Sequence, residues 1–286
     1  MSMDRKGIIS GATIQMNFAK FGYEVFATFL INVEAHQIEQ VMAYIRSITE
    51  VHAYRQYNSV YNIRAFATLK DLNELDHLKQ TIKRKLPTVG IRTYIWTDVR
   101  NVPENLALAD HAEESSGKAK RNLGPLDPKQ TDTVKIDELD LRIVQRLTLD
   151  GRASFTKIAQ EVGTSVDTVM KRYHKLRKNN AVKASIQVNP NKLGYASILD
   201  FGISFSSAQD LSSSVVESLA KIPDVIIITK ISGEHDLQVT AMIRDVQQSL
   251  AIQDEIARIR GITKMEVSAR KLTTKWPTPK QYISTM

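Results

Sequence analysis

The stretch DGRASFTKIAQEVGTSVDTVMKRYHKLRKNNAVKASIQVNPNKLGY, Asp150–Tyr195, decides how the rest of the chain is read. Phe155, Ile158, Ala159 and Val162 recur at helical spacing and predict a short helix with Ser154 as its N-cap. Gly163-Thr164 makes a tight turn, and Ser165 caps a second helix. The apolar face of that helix is Val166, Val169, Met170, Tyr173 and Leu176. Its opposite face is Ser165, Asp167, Thr168, Lys171, Arg172, Lys175 and Lys178. Upstream, Ile136, Leu139, Ile143 and Leu147 predict an amphipathic helix over Asp137–Leu149, which Asp150-Gly151-Arg152 breaks. Three short helices, with a glycine turn before a basic third one, describe a helix-turn-helix.

The charge distribution agrees. The 286 residues carry a net charge of +8, and residues 136–192 hold 11 Lys/Arg against 6 Asp/Glu, so +5 of the total sits in this one segment. A local basic excess suits a polyanion, here double-stranded DNA. A solvated helix face is the bland alternative. If the helix enters a major groove, Ser165, Asp167, Thr168 and Lys171 are placed for base edges, and Arg172, Lys175 and Lys178 for phosphates.

The end of the stretch is repeated at the start of the chain. TIQMNFAKFGY, Thr13–Tyr23, matches SIQVNPNKLGY, Ser185–Tyr195, at an offset of 172 residues. After each copy the same patterns follow in the same order: strand, helix, two strands, helix, strand. The first strands are Glu24–Val33 and Ile198–Ser206. The order βαββαβ predicts a ferredoxin-like unit, with helices on one sheet face and the other face open for pairing. The expected fold class is α+β: two ferredoxin-like units flanking a three-helix winged helix-turn-helix. The expected bounds are an N-terminal unit at 1–106 with a residual wing strand, a polar linker at 107–135 (helical over Ala107–Glu114), the helix-turn-helix at 136–190, and a C-terminal unit at 191–286.

Asp137–Tyr195 resembles the DNA-binding domain of the Lrp/AsnC (feast/famine) transcription regulators. The likeness is carried by Asp137 and Asp140, Asp150-Gly151-Arg152, Gly163, Ser165, Thr168-Val169, Arg172 and Leu193-Gly194-Tyr195. Asn179-Asn180 departs from it, because the family often has a glycine before the wing strand; the first copy has Gly7 there. The resemblance implies that the ferredoxin-like units are the family's RAM (ACT-like) domains, which dimerise through their sheets and take small, amino-acid-like effectors near the loop between the two central strands. In the second unit that loop offers Ser232, Gly233, His235 and Asp236. The first unit has Asn58–Asn62 there and lacks both the Gly and the Asp. A turn glycine and a turn-capping aspartate are the competing reading. The two ferredoxin-like domains could pair within the chain as a pseudo-dimer or between chains; a homodimer through them is expected.

The sequence holds no cysteine, so thiolate metal sites, disulfides and cysteine nucleophiles are excluded. The six histidines show no metal-ligand spacing, and no phosphate loop, nucleophile elbow or dinucleotide fingerprint occurs. No catalytic residue, metal or cofactor is expected. No run of eighteen uncharged apolar residues predicts a membrane span. The expected location is a prokaryotic cytoplasm, on the nucleoid. Two other classes stay open. Siroheme decarboxylases resemble this fold as enzymes, and a chain of this kind could also act as a partner that modulates the assembly of related regulators.

Overall fold

The computed structural model describes residues 6–48, 51–86, 90–101, 135–206 and 211–278. Nearly all of the expected linker, with its helix over Ala107–Glu114, lies outside the described residues. None of the described helices is long and apolar enough to cross a membrane.

The first ferredoxin-like unit runs β2 (Val25–Asn32), α1 (Ile38–Arg46), β3 (Val51–Arg55), β4 (Ile63–Leu69), α2 (Leu72–Lys85) and β5 (Gly90–Asn101). The second runs β7 (Ser197–Phe205), α6 (Leu211–Ala220), β8 (Val225–Ser232), β9 (Leu237–Ile243), α7 (Val246–Ala257) and β10 (Ile262–Lys271). Strand alternation places one set of side chains under the helices. In the first unit Ala27, Phe29 and Ile31 of β2 meet Val41, Met42 and Ile45 of α1 and Leu75, Leu78 and Ile82 of α2. Leu199, Phe201 and Ile203 of β7 play the same part in the second. Asp71 and Asp245 cap α2 and α7 alike, each accepting from the backbone N–H three residues on.

All eight strands form one antiparallel sheet, ordered β10-β7-β9-β8-β5-β2-β4-β3. The units join where β5 pairs with β8, from Ile95↔Ser232 to Asn101↔Ile227. At the far edges, Tyr57 just past β3 bridges Ala269 of β10 through N···O bonds of 2.8 and 3.0 Å. The sheet thus closes on itself, and the open faces of the two units oppose each other. Polar groups cross the gap. Thr28 of β2 donates to Gln238 of β9 at 3.1 Å and accepts from the Trp96 indole at 2.8 Å. Asp200 of β7 accepts from Arg270 Nε at 2.7 Å and lies 3.8 Å from Arg64 Nε of β4. All three charged groups are buried. Burial raises the Asp200 carboxyl's pKa, but Arg270 and Arg64 outweigh it and hold the group below the usual carboxylate range.

The sheet faces expected to dimerise two chains are therefore spent on one another within one chain. Among the described residues, one chain supplies both halves of the pairing that was expected between two chains.

The helix-turn-helix sits apart on a two-stranded ribbon. Its helices are α3 (Glu138–Leu149), α4 (Phe155–Val162) and α5 (Val166–Lys178). The ribbon pairs β1 (Ile9–Met16) with β6 (Val182–Val188), from Gly11↔Gln187 to Met16↔Val182, with a bulge between Ile9 and Gly11. Here the two strands that share the matching sequence pair with each other. Ile14 and Met16 of β1 complete the helical core made by Ile143, Val144, Leu147, Ile158, Val169 and Leu176. The Thr13 hydroxyl donates to the Thr148 carbonyl at 2.7 Å, and Gly151 N–H donates to the Ala12 carbonyl at 2.9 Å. A Cβ on Gly151 would fall 2.8 Å from the Thr13 nitrogen, so only glycine fits this close crossing.

Candidate nucleic-acid interface

Each helix of the reader is started by a side chain that the sequence marks. Asp137 and Asp140 form a reciprocal capping box at α3. Ser154 caps α4 by accepting from Lys157 N–H, and Gly163 ends it in the left-handed region at φ 70°. Ser165 caps α5 by accepting from Thr168 N–H at 3.2 Å. The wing turn solves its missing glycine with Asn180, which takes φ 54°, while Asn179 stays at φ −89°. Gly7 in the first copy has φ 66°. Asparagine is among the residues that tolerate this region best.

The base-reading candidates lie together on the first turns of α5. Asp167 and Lys171 are exposed. Ser165 and Thr168 hold each other, hydroxyl to hydroxyl, at 2.8 Å, so much of their hydrogen-bonding capacity serves the cap. Lys175 and Lys178 are exposed further along, and Lys175 donates to the Lys135 carbonyl at 3.0 Å.

Arg172, expected at phosphates, is engaged within the unit in the free protein through its guanidinium. It turns back onto the start of α3, 2.6 Å from both Asp137 carboxylate oxygens and 3.0 Å from Asp140 Oδ1. Asp140 is 0% exposed, and Arg172 neutralises its charge there. The hydrogen bond from Arg172 holds the Asp137 carboxyl below its ordinary range, and the same bond pushes the Arg172 guanidinium up. Arg172 therefore ties α5 to the start of α3.

The apolar face of α5 is also narrower than its sequence suggests. Val169, Tyr173 and Leu176, spaced i, i+4, i+7, meet the core, whereas Val166 and Met170 are exposed beside Asp167 and Lys171. Three contacts at that spacing already cover the buried stripe, which leaves its flank to solvent. Val166 and Met170 are thus surface candidates that sequence periodicity assigned to the core.

The other candidate set, Ser232, Gly233, His235 and Asp236, clusters at the β8–β9 hairpin beside the first unit's β5. Gly233 abuts the Tyr94 ring, where a Cβ would come within 2.1 Å. His235 is buried, with its ring centroid 6.1 Å from that of Tyr94, Nδ1 3.1 Å from Ser204 Oγ and Nε2 3.3 Å from Glu266. Burial pushes the His235 imidazole down, against a smaller opposing pull from Glu266. Asp236 accepts from Phe205 N–H at 2.9 Å, while Ser232 stays exposed. Glu234 is paired with Arg92 of the first unit and with Lys264 of β10. The hairpin thus ties the two units together through Gly233 and His235 against Tyr94 and Glu234 with Arg92, while Asp236 holds the hairpin to β7 of its own unit. Glu234, His235 and Glu266 approach one another closely, but Arg92 and Lys264 already neutralise both carboxylates.

Comparison with known proteins places this geometry. The model of the AsnC-type helix-turn-helix domain matches residues 136–177. An uncharacterized HTH-type transcriptional regulator of Pyrococcus abyssi is 32% identical over 145 residues, which is 50% of this chain and 90% of that protein. The HTH-type transcriptional regulator LrpA of Pyrococcus horikoshii is 32% identical over 133 residues, 46% of this chain and 92% of that one. Among solved structures, the siroheme decarboxylase NirDL, in complex with an iron-uroporphyrin III analogue, overlays 96% of this chain and 79% of its own. Its TM-score is 0.63 at 13% identity, a likeness of fold alone. From the matched helices, their order and nearly full-length coverage of these regulators, the chain belongs to the Lrp/AsnC family of helix-turn-helix transcriptional regulators.

Proposed function

We propose that this protein is a sequence-specific, DNA-binding transcription regulator that presents one reading helix per chain. The observation that carries the reading is α5, a capped helix on a family-matched frame whose exposed side gathers Asp167, Lys171, Lys175 and Lys178. Entered into a major groove by its N-terminus, α5 sets Ser165, Asp167, Thr168 and Lys171 near base edges. Lys175 and Lys178 then meet phosphates, and Val166 and Met170 suit thymine methyls. Arg172 positions the helix.

The unit bounds that go with this reading are 1–106, 107–135, 136–190 and 191–286. An amino-acid-like effector at Ser232, Gly233, His235 and Asp236 belongs to the same proposal. It would act by loosening or tightening the hairpin's hold on Tyr94 and Arg92. The location that fits is the cytoplasmic nucleoid. The test is a gel shift on the protein's own promoter region. Lys171→Ala should weaken binding and relax preference for that DNA over a scrambled duplex. Equal affinity of wild type and variant for both duplexes refutes the reading.

The whole-chain likeness to a siroheme decarboxylase favours a second reading, an enzyme acting on a tetrapyrrole. Titration with iron-uroporphyrin III separates the two. A saturable absorbance change at micromolar concentration supports the enzyme, and its absence the regulator.

A further inference from the structure

The β8–β9 hairpin and β10 bring Glu234, His235 and Glu266 together. One ligand atom from each lies within 4.8 Å of the other two, the one such group among the described residues. Sequence spacing does not reveal the set, because Glu266 reaches the hairpin only through the pairing of β10 with β7.

The surroundings hold the His235 ring in one orientation. The ring lies across Gly202 of β7, where a Cβ would fall 2.5 Å from its Cδ2. Gly202 pairs with Glu266, so a bare glycine opens the way from the hairpin to that carboxylate. Ser204 fixes the tautomer. Its hydroxyl donates to the Glu234 carbonyl at 3.4 Å, so it accepts from His235 Nδ1–H at 3.1 Å. The ring proton is then on Nδ1, and the lone pair of Nε2 faces Glu266 Oε2 at 3.3 Å. His235 is 3% exposed, and its Nε2 has no hydrogen-bond partner among the described residues. A buried lone pair aimed at a carboxylate oxygen is unfavourable unless a cation lies between them.

A cation already stands beside the two carboxylates. Lys264 Nζ lies 2.8 Å from Glu234 Oε1 and 2.9 Å from Glu266 Oε1. It makes no hydrogen bond to Nε2, and its long side chain is exposed and free to swing away. Arg92 of the first unit holds the other Glu234 oxygen, Oε2.

We propose that Glu234, His235 and Glu266 bind a divalent first-row transition-metal ion such as Zn2+, which takes the place of the Lys264 ammonium. One imidazole with two carboxylates suits such an ion better than Ca2+ or Mg2+, which prefer oxygen alone. Lys264 leaves for solvent still protonated. The ion supplies the charge that Lys264 gave the carboxylates, and it gives Nε2 its missing partner. Ser204 and Arg92 remain behind as the groups that orient His235 and Glu234. The site shares His235 with the effector set but needs neither Ser232 nor Asp236. It goes beyond the regulator reading and stands whether or not α5 meets DNA.

The test is calorimetric titration of Zn2+ into the tag-free, full-length chain after EDTA treatment, with Co2+ as a spectroscopic reporter. One ion should bind per chain, and bound Co2+ should show visible absorption bands that Zn2+ removes and His235→Gln abolishes. Glu266→Gln changes an exposed carboxylate and should weaken binding at least about tenfold. Ser204→Ala should weaken it about 10- to 100-fold by freeing the ring. Lys264→Ala should tighten binding because the competing cation is gone, a gain that misfolding does not produce. No saturable binding to wild type or to Lys264→Ala overturns the proposal. Binding that Glu266→Gln and Ser204→Ala leave unchanged also overturns it, since the ion then sits on other side chains. So does an affinity of Lys264→Ala no higher than that of wild type.

Discussion

Ile14→Ala asks whether a strand from the far end of the sequence completes the DNA-reading unit. Ile14 lies some 120 residues before α3, yet it is almost wholly enclosed by Ile143, Leu147, Ile158 and Leu176 and their neighbours. Truncating a fully buried isoleucine to alanine costs about 2–5 kcal/mol, the lost transfer free energy plus the cavity left behind. The higher end applies here, because β1 is pinned on both sides: to β6 by its ladder, and to α3 by the Thr13 and Gly151 bonds. A pinned strand cannot collapse into the gap. Amide hydrogen exchange reads the effect locally. Protection of α3–α5 should fall about thirty- to a few-thousand-fold, at 1.4 kcal/mol per factor of ten. Amides of β2 and β7 should keep their protection, since their cores share no residue with this one. Ile186→Ala is the internal control. The same residue type at the matching position of the repeated stretch is exposed, and its change should stay within about 0.5 kcal/mol. Equal effects of the two substitutions, or no loss of protection in α3–α5 with Ile14→Ala, would refute the reasoning.

Other outcomes follow from the same geometry. Asp200→Asn leaves Arg64 and Arg270 buried with no counter-charge and should cost about 3–5 kcal/mol in denaturant unfolding. The folded-state pKa of Asp200 is lowered, so its contribution is intact above the unfolded carboxylate value and is lost as pH falls through the lower folded one. Acid unfolding monitored near pH 4 and below should therefore shift to higher pH in Asp200→Asn. His235 is also depressed, so the unfolded chain takes up its proton first, and stability should decline as pH drops below about 6.5. His235→Gln should flatten that part of a stability–pH curve. Gly233→Ala drives a methyl group into Tyr94 and should lower the melting temperature, and adding Tyr94→Ala should recover part of the loss. Arg172→Ala should weaken DNA binding through a loosened α3–α5 tie, visible as reduced exchange protection in free protein; an effect seen in bound protein alone would return Arg172 to the phosphate contacts.

The reader was legible because each of its signals is local. Ser154, Ser165 and Gly163 are caps and a turn that sequence spacing identifies, and the structure uses all three as such. The βαββαβ order could be read because burial alternates along strands and recurs along helices at different periods. What could not be read depended on partners distant in sequence. Arg172 looks like any basic residue on an exposed face until α3 brings Asp137 and Asp140 beneath it. Val166 and Met170 fit the apolar period, but the core had no more room along α5. The choice between pairing the two sheets within one chain and between chains was equally hidden. An open sheet face advertises that it needs a partner, and only the β5–β8 register and the Arg64–Asp200–Arg270 contact say which partner it has.

The proposed function stands on α5 as the surface that meets DNA. Its most direct test is binding to promoter DNA at rising salt, for wild type and for Lys178→Ala. Lys178 lies on the exposed face and outside the helical core, so removing it should leave the unit folded. Lys178→Ala should bind more weakly, with a log–log salt slope that is shallower by about 0.9, one phosphate contact fewer. Identical affinities and identical slopes for the two proteins would contradict it.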